Sequence, residues 1–134
     1  MKSRTDLVAA WVGKAESDLT NLELCLAHER ALDTACFHAQ QAAEKYLKAY
    51  LIAVDREFPL VHNLEKLIQT CAEQEPRFLE LLALGQELTP YAVELRYDAD
   101  FAPTLETAEA ARDAAQRIKA LVLDCLPQGM HPKV

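Results

Sequence analysis

Apolar residues recur at steps of three and four along almost the whole chain, and that period narrows the accessible folds more than any other feature. Val8, Trp11, Val12, Ala15, Leu19, Leu22 and Leu26 fall within about 100° of arc, one face of a long first helix. Lys14, Glu16, Asp18 and Glu23 are expected on its other faces. Residues 28–32 read as a break. A second helix, capped by Asp33 or Thr34, runs to about Val54. Its apolar side carries Cys36, Ala39, Ala43, Tyr46, Leu47, Tyr50 and Val54, and the alanines at 39, 42, 43 and 49 indicate a close approach to another helix. A loop over 55–61 contains Pro59. A third helix starts at His62 or Asn63, shows Leu64, Leu67, Ile68 and Cys71, and breaks at 73–76. Leu81, Leu84, Leu88, Tyr91 and Leu95 continue the period; Gly85 weakens it, and Thr89-Pro90 predicts a restart with Thr89 as N-cap. After a loop over 97–103, Thr104 caps a last helix with Glu106 and Glu109 near its favourable end for negative charge. That helix shows Ala108, Ala111, Ala115, Ile118, Val122 and Cys125, and Pro127-Gln128-Gly129 stops it.

Five helices, three of them long, joined by short connections predict an all-α, up-and-down four-helix bundle with a short additional helix. The 134 residues suffice for one domain, 4–127, followed by a frayed tail, 128–134. A domain of this size buries roughly two-thirds of its unfolded surface and needs no metal or disulfide. Hydrophobic residues make up 51%, too many for a disordered chain, and only three glycines interrupt them. Cys25, Cys36, Cys71 and Cys125 form no CxxC pair and no zinc pattern, so they read as buried reduced thiols. The opening MKSRTDLVAAWVGKAESD lacks the apolar core of a signal peptide, and no apolar run approaches the ~20 residues of a membrane span. A cytoplasmic protein is the expectation.

Fourteen basic against 21 acidic residues leave a net charge of −7, which argues against a surface built for nucleic-acid backbones without excluding a local basic patch. The most distinctive polar pattern lies on the second helix. His38, Gln41, Lys45 and Lys48 fall within about 80° of arc, with Glu44 placed to pair with Lys48 at i,i+4. An imidazole, an amide and two cations on one stripe suit a phosphate or an acidic partner helix; the alternative is a solvated outer face. There is no Gly-rich phosphate loop, no HExxH and no recognisable nucleophile setting.

Residues 36–52, CFHAQQAAEKYLKAYLI, resemble the signature helix of the HEPN domain family, named for proposed nucleotide binding. Ala10-Trp11 followed by Asp18-Leu19 resembles the family's first helix. Pro59-Leu60-Val61-His62-Asn63-Leu64 resembles its Pro-x-Thr-His-Asp-Leu junction, with Val61 and Asn63 departing from it, and Leu95-Arg96-Tyr97 resembles the Arg-Tyr near the end of its fourth helix. The resemblance implies a four-helix bundle with a short extra helix, a homodimer, and a minimal nucleotidyltransferase as partner in a two-component, toxin–antitoxin-like system. The ribonuclease branch of the family carries Arg, four to six residues, then His. Here no His follows Arg96 at that distance, and Arg56 to His62 matches the spacing only across Pro59.

The leading expectation is therefore a binding module for a nucleotide or a partner nucleotidyltransferase, with no cofactor and no metal. His38, Gln41, Lys45, Lys48, His62, Arg96 and Tyr97 are its candidate binding residues. A ribonuclease toxin whose active site forms across a dimer is the enzyme alternative, with His62, Arg96 and Arg56 as candidates and RNA as substrate. A purely structural homodimer is the third reading. Phe37, Leu51 and Phe58 are expected to remain uncovered by one bundle and to mark the dimer surface.

Overall fold

The computed structural model describes residues 2–131, and the last three residues of the expected tail lie outside them. The first helix, α1 (Arg4–His28), begins at a capping box: the Ser3 hydroxyl accepts from the Asp6 N–H, and the Asp6 carboxylate accepts from the Ser3 N–H. It ends at Glu29 in the left-handed region, and Ala31, also left-handed at φ 52°, starts α2 (Leu32–Ala53). Neither Asp33 nor Thr34 is the cap. The tight reversal makes Ala31 the boundary, with no side-chain cap at all, and Asp33 sits inside the first turn, where its charge suits the helix dipole.

The central helix is α2, with 14 of its 22 residues buried. One apolar stripe cannot account for that. Ala35, Ala39, Ala42, Ala43, Ala49 and Ala53 let neighbouring helices approach closely on more than one side. α1 runs antiparallel to it, as the pairs Arg4–Asp55, Glu16–Tyr46 and Asp18–Lys45 show. The last long helix, α5 (Leu105–Cys125), is capped by the Thr104 hydroxyl accepting from Thr107 N–H. It packs on α2 and runs antiparallel to α1, through Lys119–Glu16 and Arg112–Glu23.

The stretch between is irregular. α3 (Leu64–Gln74), capped by Asn63, is the short extra helix. Its contacts with α2 rise together in number, from His62 against Gln40 to Cys71 against Leu47, so it runs in the same general sense as α2. Residues 54–63 double back to make this so. The third leg of the bundle is a 3₁₀ turn (Pro76–Leu81), α4 (Leu82–Leu88) and a second 3₁₀ turn (Thr89–Tyr91). Thr89 does not restart a helix. Its hydroxyl donates back to the Gly85 carbonyl and accepts the Leu64 N–H, so it ties α4 to the start of α3. Gly85 permits that approach: a Cβ there would lie 2.7 Å from Ile68 Cδ1. Among the described residues there is no strand, and no helix is long and apolar enough to cross a membrane.

The expected uncovered apolar residues are not the uncovered ones. Leu51 is fully buried, Phe37 lies under Arg96, and Phe58 packs edge-on to Trp11. Among the described residues, Leu7, Leu24, Leu60, Leu79, Val93 and Tyr97 are the large apolar side chains left exposed. All four cysteines are free thiols. Cys36 and Cys71 are buried, whereas Cys25 and Cys125 are half-buried. Burial, with Asp33 adding to it, pushes the Cys36 thiol up to about 11.

Candidate functional site

The polar side chains of α2 organise around two buried carboxylates. Asp18 reaches from α1, 7% exposed, and accepts from Lys45 Nζ at 2.6 Å while its other oxygen lies 2.8 Å from His38 Nδ1. Asp18 does not lie on one of the other faces of α1: three residues after Ala15 and four before Leu22, it sits at the margin of the buried stripe and is itself buried. Glu44, 5% exposed, accepts from Lys48 Nζ at 2.9 Å and lies 3.0 Å from His62 Nδ1. Gln40 is fully buried beside it and donates to Glu44 Oε1 and to the His62 carbonyl, both at 3.1 Å; Gln41 in turn donates to Gln40 Oε1. Among the described residues no buried side-chain polar atom lacks a partner.

Each carboxylate thus holds one imidazole and one ammonium. Burial pushes both carboxyls up, but the hydrogen bonds and cations facing them outweigh it. His38 and Lys45 hold Asp18 below the usual carboxylate range, and His62, Lys48 and Gln40 do the same for Glu44. Glu16 forms a third junction, accepting from the Tyr46 hydroxyl at 2.7 Å and pairing with Lys119 of α5 at 2.8 Å.

This geometry divides the candidate residues. Lys45 and Lys48 are neither a solvated face nor free cations, because each neutralises a buried carboxylate. Lys48, 8% exposed, also lies 5.8 Å from the Trp11 ring centre and 5.2 Å from that of Phe58. The Glu44–Lys48 pair is the i,i+4 pair read from the sequence. Arg56 pairs with Glu73 on α3, whereas His62 is committed to Glu44, so two different carboxylates hold the one Arg/His pair with ribonuclease-like spacing.

Arg96 is different. No carboxylate among the described residues pairs with it; its guanidinium lies 3.9 Å from the centre of the Phe37 ring and 5.9 Å from that of Tyr97. Tyr97 is 80% exposed and does not cover the core. The ring of His38, the neighbour of Phe37, meets it edge-on at 5.7 Å. Phe37 is the residue the sequence reading did not place in the site; its position one before His38 on the same helix was the available signal. Arg96 and His62 do not meet within the chain. Arg96 sits over Phe37, whereas the His62 ring is held at Glu44 and its carbonyl at Gln40. No cluster of His, Cys, Asp and Glu among the described residues could hold a metal ion. A groove of about 520 Å³ between α1 and α5, lined by Leu19, Leu24 and Lys119, lies away from these residues.

A helical bundle with this signature helix defines a recognisable class. The HEPN domain family model matches residues 8–125, and the chain belongs to that family. Its structure is similar to that of TT1696 from Thermus thermophilus, with a TM-score of 0.75 and 30% identity over 87% of this chain and 96% of that one. It is also similar to ST0689, described as an archaeal HEPN homologue, with a TM-score of 0.74 over 95% of this chain and 100% of that one; at 24% identity this likeness speaks to the fold alone. No curated protein matches the chain.

Proposed function

We propose that this HEPN module is a binding protein whose ligand is a nucleotide, held at the shelf formed by Phe37, Arg96 and Tyr97. The observation that carries the reading is Arg96, an exposed guanidinium stacked 3.9 Å from the Phe37 ring centre with no carboxylate partner among the described residues. A planar cation supported on one face leaves its N–H edge for a phosphate and its other face for a base, and Tyr97 adds an exposed ring beside it. His38 and Gln41 adjoin the shelf on α2 and extend its hydrogen-bonding capacity, whereas Lys45 and Lys48 serve the fold. The companion proposals are a homodimer and a nucleotidyltransferase as partner protein, both supported by membership of the family.

Differential scanning and calorimetric titration with AMP, ATP and GTP test the shelf. A nucleotide at a hundred times its Kd stabilises the fold by about 2.7 kcal/mol. Arg96→Ala and Tyr97→Ala should each weaken binding about tenfold or more, with little change in stability without ligand, because both side chains are exposed. Parent-like binding by Arg96→Ala refutes the site.

A further inference from the structure

Residues 57–63, the part of the α2–α3 connection beyond the Arg4–Asp55 and Arg56–Glu73 pairs, lie across the polar face of α2 and attach there at two points. The first is Phe58, whose ring meets Trp11 edge-on at 6.0 Å between ring centres and lies 5.2 Å from Lys48 Nζ. The second is His62, whose Nδ1 lies 3.0 Å from Glu44 and whose carbonyl accepts from Gln40. Between the two anchors Leu60 stands 92% exposed, and its neighbours Pro59 and Val61 are only half-buried. Both anchors lead to one group. Glu44 holds His62 directly, and it fixes Lys48 beneath Phe58 through the 2.9 Å pair. The groups facing Glu44 are Lys48 and Gln40 on its own helix and His62 on the segment.

We infer that residues 57–63 form a strap latched by the Glu44 carboxylate, which lifts from a bundle that stays folded once that carboxylate is neutralised, while the Arg56–Glu73 and Arg4–Asp55 pairs keep the preceding residues in place. Segments with few buried apolar contacts open locally at lower free energy than the helices they cross. Lifting the strap uncovers Gln40, Glu44, Lys48 and Trp11, extending the accessible polar face of α2 beyond Gln41. Because Glu44 is held below the usual carboxylate range, the latch is complete at neutral pH and is lost only as pH falls through that lowered value.

Trp11 is the only tryptophan in the sequence and touches the strap, so its emission reports the latch without any ligand. In Glu44→Gln at pH 7, Trp11 emission should move to longer wavelength while far-ultraviolet circular dichroism keeps its helical signal. Amide exchange within 57–63 should accelerate about ten- to a hundredfold, as the loss of charge-assisted hydrogen bonds implies, with α2 and α5 unchanged. Phe58→Ala, which removes the other anchor, should accelerate exchange in the same residues. Parent-like emission and exchange in Glu44→Gln overturn the inference, as does faster exchange spread evenly over all helices. Should Glu44→Gln fail to fold, acid titration of the parent decides: a Trp11 transition preceding the loss of helical signal supports the latch, and coincident transitions overturn it.

Discussion

Asp18→Asn is the sharpest perturbation of the arrangement described above. It keeps the size of the side chain, removes the charge, and places an amide against Lys45 Nζ and His38, which now hold the carboxylate at 2.6 and 2.8 Å. Removing one partner of a buried ion pair costs about 3–5 kcal/mol because the remaining charge stays desolvated. Here the remaining charge recovers some water, since the side chains of Lys45 and His38 are 24% and 20% exposed. A loss of about 2–3 kcal/mol is therefore expected, which for a domain of this size lowers Tm by roughly 10 °C. Urea unfolding followed by circular dichroism reads the loss as a lower midpoint at unchanged m value. Combining Asp18→Asn with Lys45→Met removes the stranded charge as well, so the double variant should be less destabilised than the sum of the two single changes. The pH dependence supplies a second signature. Asp18 is held below its ordinary value, so its contribution is present above the unfolded pKa near 3.8 and disappears as pH falls through the lowered folded one. Parent and variant should thus differ at neutral pH and converge in acid. A loss under about 0.5 kcal/mol at pH 7, or strict additivity in the cycle, refutes the assignment of Lys45 and His38 as partners of Asp18.

Tyr46→Phe removes the hydrogen bond from the buried ring to Glu16 but leaves Glu16 paired with Lys119, so a urea midpoint should show a loss of about 1 kcal/mol. Gly85→Val should cost about 2–3 kcal/mol, because even a Cβ at 85 meets Ile68 Cδ1 at 2.7 Å and Leu64 Cβ at 3.5 Å; a change within ~0.5 kcal/mol would show that α3 and α4 separate without penalty. The purified chain should not cleave a labelled RNA panel, and cleavage that is present in the parent and vanishes in His62→Ala would instead establish the ribonuclease alternative.

The apolar half of the fold was legible because helical burial writes a period. The stripes of α1 and α5 are buried nearly as their spacing indicates, and Asn63 and Thr104 cap the helices they precede. What was illegible has specific causes. An alanine in the left-handed region has no side-chain signature, so the start of α2 at Ala31 could not compete with the obvious capping residues Asp33 and Thr34. Thr89-Pro90 has the chemistry of an N-cap, but its hydroxyl is already committed backwards to Gly85 and sideways to Leu64, a long-range choice that no local pattern records. Lys45 and Lys48 have the spacing of a cationic stripe. Whether such a stripe is open or neutralised depends on carboxylates such as Asp18, which arrives from another helix and shows in sequence only as one charge at the edge of an apolar row.

The same cross-helix placement bears on the chemistry the module can perform. Acid–base cleavage of a phosphodiester needs an imidazole and a cation in contact with the same reacting group, and misplacement by about 1 Å already costs large factors in rate. Within one chain the two have different partners: Arg96 stacks on Phe37, and the His62 ring is held by Glu44. Arg56 does not close the gap, because Glu73 holds it. Binding has no such requirement. A shelf that stacks one ring and contacts one phosphate needs only Arg96 supported from below and an exposed aromatic beside it, and Phe37 and Tyr97 supply both. The buried carboxylates draw Lys45 and Lys48 inward, whereas Arg96 stacks on Phe37 with no carboxylate partner among the described residues, which is why the proposed site rests on it.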